Sequence, residues 1–404
     1  MNTLSISPSA KVPAVAATPL GHIPTLDGLR GLAILLVLVL HLRVMDAACA
    51  VDKWFVRVAD FGWCGVDLFF VLSGFLITGI LLDTKSQLHY FRNFYFRRAL
   101  RILPLYYAVV FLSLVLLPCF QHPKLANFGR IKGDEIWYWL HLCNFSIARA
   151  GMFRHGILDV CWSLAIEEQF YLVWPFIVIM CSRRGVIAVC LLLVAAALAI
   201  RVWLRIEGVE PIAVYVLPFC RMDELAMGGL VAALARELTG GLERLVPIAR
   251  RIAAIAGVGL LAMWATGDNY NAKAVFTQTI GFSLLAFFFS AVLVLAACAT
   301  PRSWLRHWLD NKWMISLGKY SYAIYLFHLP IRAVVRDAIY GPDKFVVFCG
   351  SMIPGQLIFY AVSGAFAFVA AWLSWHFYES RWLGLKKYFS YANTPVDLSK
   401  NRGH

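Results

Sequence analysis

The sequence predicts an all-α polytopic membrane protein of about ten transmembrane helices plus a partial or re-entrant helix, with both termini cytoplasmic. Three observations lead there. Hydrophobic residues fill 61% of the 404 positions and mean hydropathy is +0.70, well above a soluble domain of this length. Apolar runs recur along the chain, and at about 20 residues per span they leave room for roughly ten helices. These runs lack the alternation of a membrane barrel, so helices satisfy the backbone in lipid.

Lys and Arg number 37 against 23 Asp and Glu, for a net charge of +14. In a membrane protein this surplus reports cytoplasmic loops and anionic headgroups rather than nucleic acid. The ten cysteines show no C-x-x-C or Cys/His spacing, so no metal site is expected. Cys49, Cys119, Cys143 and Cys161 fall near one membrane face, where one disulfide is an alternative to simple burial.

Residues 1–24, rich in Pro, Ala, Ser and Thr, are predicted to be a flexible tail. Residues 25–385 form the transmembrane domain, and 386–404 a cytoplasmic tail. Ala48-Cys49-Ala50 resembles a cleavage site, but His41, Arg43 and Asp46 would separate it from the apolar core, so a signal peptide is rejected.

The first span covers 26–43, LDGLRGLAILLVLVLHLR. Arg30 and His41 are eleven positions apart, which at about 100° and about 1.5 Å per residue returns to within about 20° of one face and rises about 16 Å. Two readings stay open. Either Arg30 anchors at the headgroups and His41 snorkels at the other interface, or both face the protein interior as functional groups.

The second span, 61–82, carries Asp67 and the small residues Ser73, Gly74 and Gly79. Residues 83–101 read as a polar, aromatic loop whose Arg92, Arg97, Arg98 and Arg101 make it cytoplasmic. Further spans are expected at 102–120, 162–181, 186–204, 215–235, 252–266, 276–299, 315–331 and 353–377. The stretch 134–147 is short and interrupted by His141 and Asn144, and is read as partial or re-entrant. A full crossing there would move every later basic loop outside. No internal repeat and no second soluble domain are found.

Three groups of residues could carry chemistry. Arg97 and Arg101 share a helix face beside Arg98, and guanidinium forks match phosphate oxygens. The cluster either binds headgroups and sets topology or grips a phosphorylated substrate. In WSLAIEEQFYLVWP, Glu167 shares a face with Ser163, Phe170 and Trp174. It is either an acid or base for proton transfer or a structural carboxylate at a helix N-terminal turn. His41 is a reasonable general base for a hydroxyl. His328, in SYAIYLFHLP, is read as a packing or interface residue.

Five stretches, LDGLRGLAILLVLVLH, GVDLFFVLSGFLIT, FYFRRALRILPLYY, WSLAIEEQFYLVWP and SYAIYLFHLP, occur in an order and spacing that resembles the membrane-bound acyltransferase-3 family, the OafA/YrhL-like O-acyltransferases. The resemblance covers roughly residues 24–385. It implies transfer of an acyl group, usually acetyl, from cytoplasmic acyl-CoA as co-substrate to a hydroxyl of a carbohydrate, in a bacterial inner membrane. The acceptors it implies are surface polysaccharide, lipopolysaccharide or lipid-linked sugar, with no bound cofactor and no metal.

By the same resemblance the family's R-x(10)-H pair falls on Arg30 and His41, its arginine motif on Arg97, Arg98 and Arg101, and its SGF motif on Ser73, Gly74 and Phe75. Its WSL-x-x-E motif falls on Trp162, Ser163, Leu164 and Glu167, with Trp162 and Ser163 on the acceptor side. Its terminal Y-E-x-R pattern falls on Tyr378, Glu379 and Arg381, with Ser380 where many relatives have proline. The expected mechanism has the arginines holding coenzyme A phosphates and the pantetheine arm passing Arg30 and Gly74. His41 would be the base, with Glu167 or Asp67 orienting its ring. Direct transfer is favoured over a Ser73 relay. A transporter or flippase for a glycan or lipid-linked substrate is the alternative class, although such proteins often carry inverted repeats.

Overall fold

A computed structural model describes residues 23–119, 133–266 and 271–391. Most of the predicted N-terminal tail and the end of the C-terminal tail lie outside the described residues. The described chain is helical throughout, with one isolated bridge between Phe348 and Ser351 and no strand.

The helices are α1 Pro24–His41, α2 Ala50–Asp60, α3 Gly65–Thr84, α4 Tyr90–Phe111 and the short α5 Leu117–Cys119. Two short helices, α6 Glu135–Trp139 and α7 Cys143–Ala150, precede α8 Cys161–Met180 and α9 Arg183–Ile206. Then come α10 Pro211–Val216, α11 Pro218–Glu237, α12 Val246–Ala265 and α13 Phe282–Ala297. The chain closes with α14 Trp304–Leu309, α15 Lys312–Val334, α16 Ile353–Ser374 and α17 Ser380–Gly384.

Eight helical segments are long and apolar enough to cross a membrane. The other two of the ten expected spans correspond to α11 and α15, which have the length but carry more polar residues. Burial decides where those charges go: Arg221, Asp223 and Glu224 of α11 are fully enclosed by protein. At the periphery, α9 and α12 turn Leu191, Leu192, Ile255, Val258 and Leu261 outward, as lipid-facing helices do.

The centre is built on close helix crossings that only glycine permits. A Cβ on Gly28 or Gly31 would lie 2.2 Å from the carbonyl oxygen of Leu309 or Met314, and one on Gly318 would lie 1.9 Å from that of Asp27. The glycines of LDGLRG therefore let α1 lie backbone to backbone against α14 and α15. At a second crossing, Gly74 of α3 and Gly228 of α11 bring those helices together, with Cβ positions 1.9 Å from Leu225 O and 2.0 Å from Val71 O. Trp174 on α8 ties to α3 by donating Nε1–H to Thr78 Oγ1 at 2.8 Å.

Buried Gln356 of α16 closes the end of α1. Its Oε1 accepts from Val44 N at 2.9 Å and Met45 N at 3.0 Å, and its Nε2 donates to Leu42 O at 3.1 Å. That end carries His41.

Several boundaries differ from the sequence reading. The basic stretch up to Arg101 is the first half of α4, not a loop: its aromatic and arginine residues pack a helix that continues through Pro104. Tyrosine hydroxyls brace that region, with Tyr322 donating to Ile102 O at 2.8 Å and Tyr378 to Pro104 O at 3.1 Å. The amphipathic α2 occupies part of a region assigned to no element. The stretch read as partial or re-entrant holds α6 and α7, of 5 and 8 residues, broken where His141 adopts φ 55°. At about 1.5 Å per residue neither helix can cross a bilayer. The described start of the predicted C-terminal tail is no separate unit, because Phe389 stacks on Phe96 at 4.6 Å and Ser390 O accepts from Asn93 at 2.9 Å. All ten cysteines are free, so the suggested disulfide is not formed.

Candidate active site

Three cavities lie in file through the centre of the bundle, each sharing wall residues with the next. Arg30, Leu76, Arg98 and Arg101 separate the first from the second, and Val66 and Tyr325 separate the second from the third.

The first cavity is basic. Arg30, Arg97, Arg98, Arg101, Arg236 and Lys386 line it, against the carboxylates of Asp27 and Asp83. Arg236 takes Asp83 in a two-pronged pair, both contacts at 2.6 Å, and Arg30 reaches Asp27 at 3.3 Å. Arg97 donates to the carbonyls of Lys386 at 3.1 Å and Phe389 at 3.2 Å and lies over the ring of Tyr391. Among the described residues no carboxylate pairs with Arg98 or Arg101. Two guanidinium groups thus line open space without a direct ion pair, an arrangement suited to a phosphorylated ligand.

The middle cavity holds a bonded chain. Tyr171 donates to Ser73 Oγ at 3.1 Å, Ser73 donates to Glu167 Oε1 at 2.6 Å, and Arg98 sits over the Tyr171 ring at 5.7 Å. Glu168 also lines this space and has a buried carboxylate oxygen without a partner.

The third cavity contains His41, with Trp63, Trp162, Phe153 and Tyr215 as aromatic walls and Asp60, Asn271 and Lys273 as polar ones. Tyr325 stands at its boundary with the middle cavity, held by Ser163 Oγ at 2.7 Å and Val160 O at 3.1 Å. His41 Nδ1 lies 2.8 Å from Nε2 of His328, with the two rings nearly parallel at 10° and 5.0 Å apart. Asp134, just before α6, pairs with Arg149 of α7 at 3.1 Å and lies 3.7 Å from His155. Burial pushes the His155 imidazole below its usual range even beside that carboxylate.

Most of the motif residues line the file, but three expectations change. Asp67 does not reach His41. It sits in the first turn of α3 facing α11, where Arg221 pairs with it at 2.8 Å, and both side chains are fully buried. Arg221 also meets Glu224 at 3.1 Å and is enclosed by Phe70, Trp162, Tyr215 and Phe282, the last at 4.1 Å. Glu167 is engaged by Ser73 in the middle cavity rather than by the His41 ring. Gly74 lines none of the three cavities, because it is consumed by the crossing of α3 and α11, whereas its neighbour Phe75 lines the arginine cavity.

The reading of His328 as a packing residue also changes, since it is the direct partner of His41. A signal was present: Ser321, Tyr325 and His328 stand at i, i+4 and i+7, one face of α15. Arg221 had no comparable signal, since its partner Asp67 lies 154 positions away.

Known proteins resemble this chain in sequence. The chain is 30% identical over 336 residues to peptidoglycan O-acetyltransferase OatA of Listeria monocytogenes, covering 79% of this chain and 50% of that protein. It is 33% identical over 330 residues to putative peptidoglycan O-acetyltransferase YrhL of Bacillus subtilis, covering 77% and 48%. O-acetyltransferase OatA of Staphylococcus aureus is 27% identical over 335 residues, covering 78% and 51%. The chain thus spans about half the length of the curated relatives it matches. No solved structure matches it. The sequence model of the acyltransferase-3 family, described as an acyltransferase domain, matches residues 23–378, and with the arginines, Glu167 and His41 gathered along one file the chain belongs to that family.

Proposed function

We propose that this protein is an integral membrane O-acetyltransferase that moves acetyl from cytoplasmic acetyl-CoA to a hydroxyl of a cell-surface glycan. The observation that carries this reading is the file of cavities, from a cluster of arginines at one end to His41 at the other. Phosphates of coenzyme A would occupy the arginine cavity, on Arg98, Arg101 and Arg30. The pantetheine arm would thread the middle cavity past Ser73 and Tyr322 toward Tyr325. A sugar ring fits between aromatic walls such as Trp63, Trp162 and Tyr215, with Asp60 and Asn271 available to its hydroxyls. The relatives named for peptidoglycan support a glycan over a small metabolite.

The chemistry is direct transfer. His41 takes the proton of the acceptor hydroxyl as its oxygen attacks the thioester carbonyl carbon. The new C–O bond forms, the C–S bond breaks, and the coenzyme thiolate receives the proton from His41. With α11 and α15 counted as crossings there are ten spans, so both ends share one side, and the basic residues clustered there support the cytoplasmic face of a bacterial inner membrane.

Purified protein in nanodiscs, supplied with labelled acetyl-CoA and glycan fragments, tests the reading. The expected result is release of free thiol that depends on the glycan and disappears in His41→Ala. Label transfer that persists unchanged in His41→Ala, or thiol release indifferent to every glycan, would overturn it.

A further inference from the structure

The His41 and His328 rings form a hydrogen-bonded pair with no carboxylate bonded to either among the described residues, and the direction of that bond can be read from its far end. Nδ1 of His328 faces the carbonyl oxygen of Ile324 at 3.3 Å. A carbonyl can only accept, so this nitrogen carries the ring's proton, and a neutral imidazole has one N–H. Nε2 of His328 is therefore the lone pair. The 2.8 Å contact between the rings needs one proton, and only Nδ1 of His41 remains to supply it. His328 is fully buried, with the Tyr325 ring at 5.6 Å and Arg332 one turn further along α15.

We propose that His328 is a positioning residue that fixes the tautomer of His41, holding its proton on Nδ1 so that Nε2 presents a lone pair to the acceptor cavity. This rests on the transferase reading. Without an acceptor at Nδ1, a neutral histidine favours the proton on Nε2, and His41 would offer the acceptor hydroxyl a donor where a base is needed. During transfer, Nε2 of His41 takes the hydroxyl proton and the ring becomes an imidazolium. Its Nδ1–H bond to His328 then becomes charge-assisted and shorter. When His41 passes the Nε2 proton to the coenzyme thiolate, both rings return to their starting state. His328 itself exchanges no proton and touches no substrate.

The fold supports this role from both sides. Gly31 and Gly318 bring α1 and α15 to backbone contact, and Gln356 pins the residues just past His41. The two rings thus meet at fixed depth rather than through a mobile loop.

Two substitutions separate positioning from packing. His328→Phe keeps the volume and the stacking but removes the acceptor, whereas His328→Gln presents an amide oxygen near the place of Nε2. The expected result is that His328→Phe lowers kcat by about 10- to 100-fold with KM for acetyl-CoA unchanged, and that His328→Gln recovers most of the loss. Nitrogen-15 NMR of histidine-labelled protein, with His41 assigned by difference from His41→Gln, gives a readout independent of turnover. Wild type should show His41 protonated on Nδ1, and His328→Phe should shift the proton to Nε2. Equal kcat in the Phe and Gln variants, or a wild-type His41 protonated on Nε2, would overturn the proposal. If the tautomer is as expected while no glycan is acetylated, the transferase reading fails and the positioning role stands.

Discussion

Two sets of arginines lie within the apolar bundle and differ in what surrounds them. Arg201 and Arg221 are completely buried, each against carboxylates of the same chain: Arg201 meets Asp223 at 2.7 Å, and Arg221 meets Asp67 and Glu224. Arg98 and Arg101 line open space and lack such a partner among the described residues. The sealed set spends its charge inside the protein, whereas the open set borders a cavity. Residue type does not distinguish them, and neither does apolar context in the sequence. The difference is whether an acid on another helix completes the pair.

The sealed set still bears on the site. The rings enclosing Arg221 include Trp162 and Tyr215, which form walls of the His41 cavity, and Phe70, which lines the middle one. The ion cluster backs the aromatic surface on which an acceptor would rest.

The largest expected effect tests the sealed set. Arg221→Met strands Asp67 and Glu224 without their cation, and loss of one partner of a buried pair costs about 3–5 kcal/mol. Yield of monodisperse protein and its thermal midpoint should both fall sharply; an unchanged midpoint would erase the distinction between the sets. Arg98→Ala should do the reverse, leaving the midpoint in place. Loss of charge-assisted bonds of about 1.5–3 kcal/mol should raise KM for acetyl-CoA roughly ten- to a hundred-fold.

Gly74→Ala sharpens the comparison from the side of the scaffold. Its methyl would collide with Leu225 O, so a stability loss of about 1–3 kcal/mol is expected, with KM per folded molecule unaltered. A raised KM without a stability change would return Gly74 to the donor path. The smallest effect belongs to Arg97, which already spends donors on the carbonyls of Lys386 and Phe389. Arg97→Ala should weaken binding by about 1 kcal/mol or less, and the difference from wild type should vanish in high salt.

The helical class and most spans were legible because apolar runs of bilayer length have few other uses. The start of α4 was not, since alternating aromatics and arginines read as loop until the helix was seen to pack them against α8 and the C-terminal segment. α11 shows the limit from another direction: its buried charges look like a weak span in isolation and become sensible only beside Asp67 and Arg201. For the site, the shared face of Arg30 and His41 followed from helix geometry alone. Which acid met which base did not, because pairing depends on how separate helices cross. Asp67 and His328 exchange importance for this reason: the first turned toward α11, and the second was carried to His41 by the glycine contact of α1 with α15.

That contact has a consequence for substrate length. Arg30 and His41 ride on one uninterrupted helix, so the rise of about 16 Å between them is not adjusted by any loop. α1 is in effect a measuring rod. On the proposed reading, a donor gripped by its phosphates at one end would be worked upon at the other only if its arm had the matching reach. On that reading a truncated carrier bearing the same thioester would be held correctly and still fall short of His41.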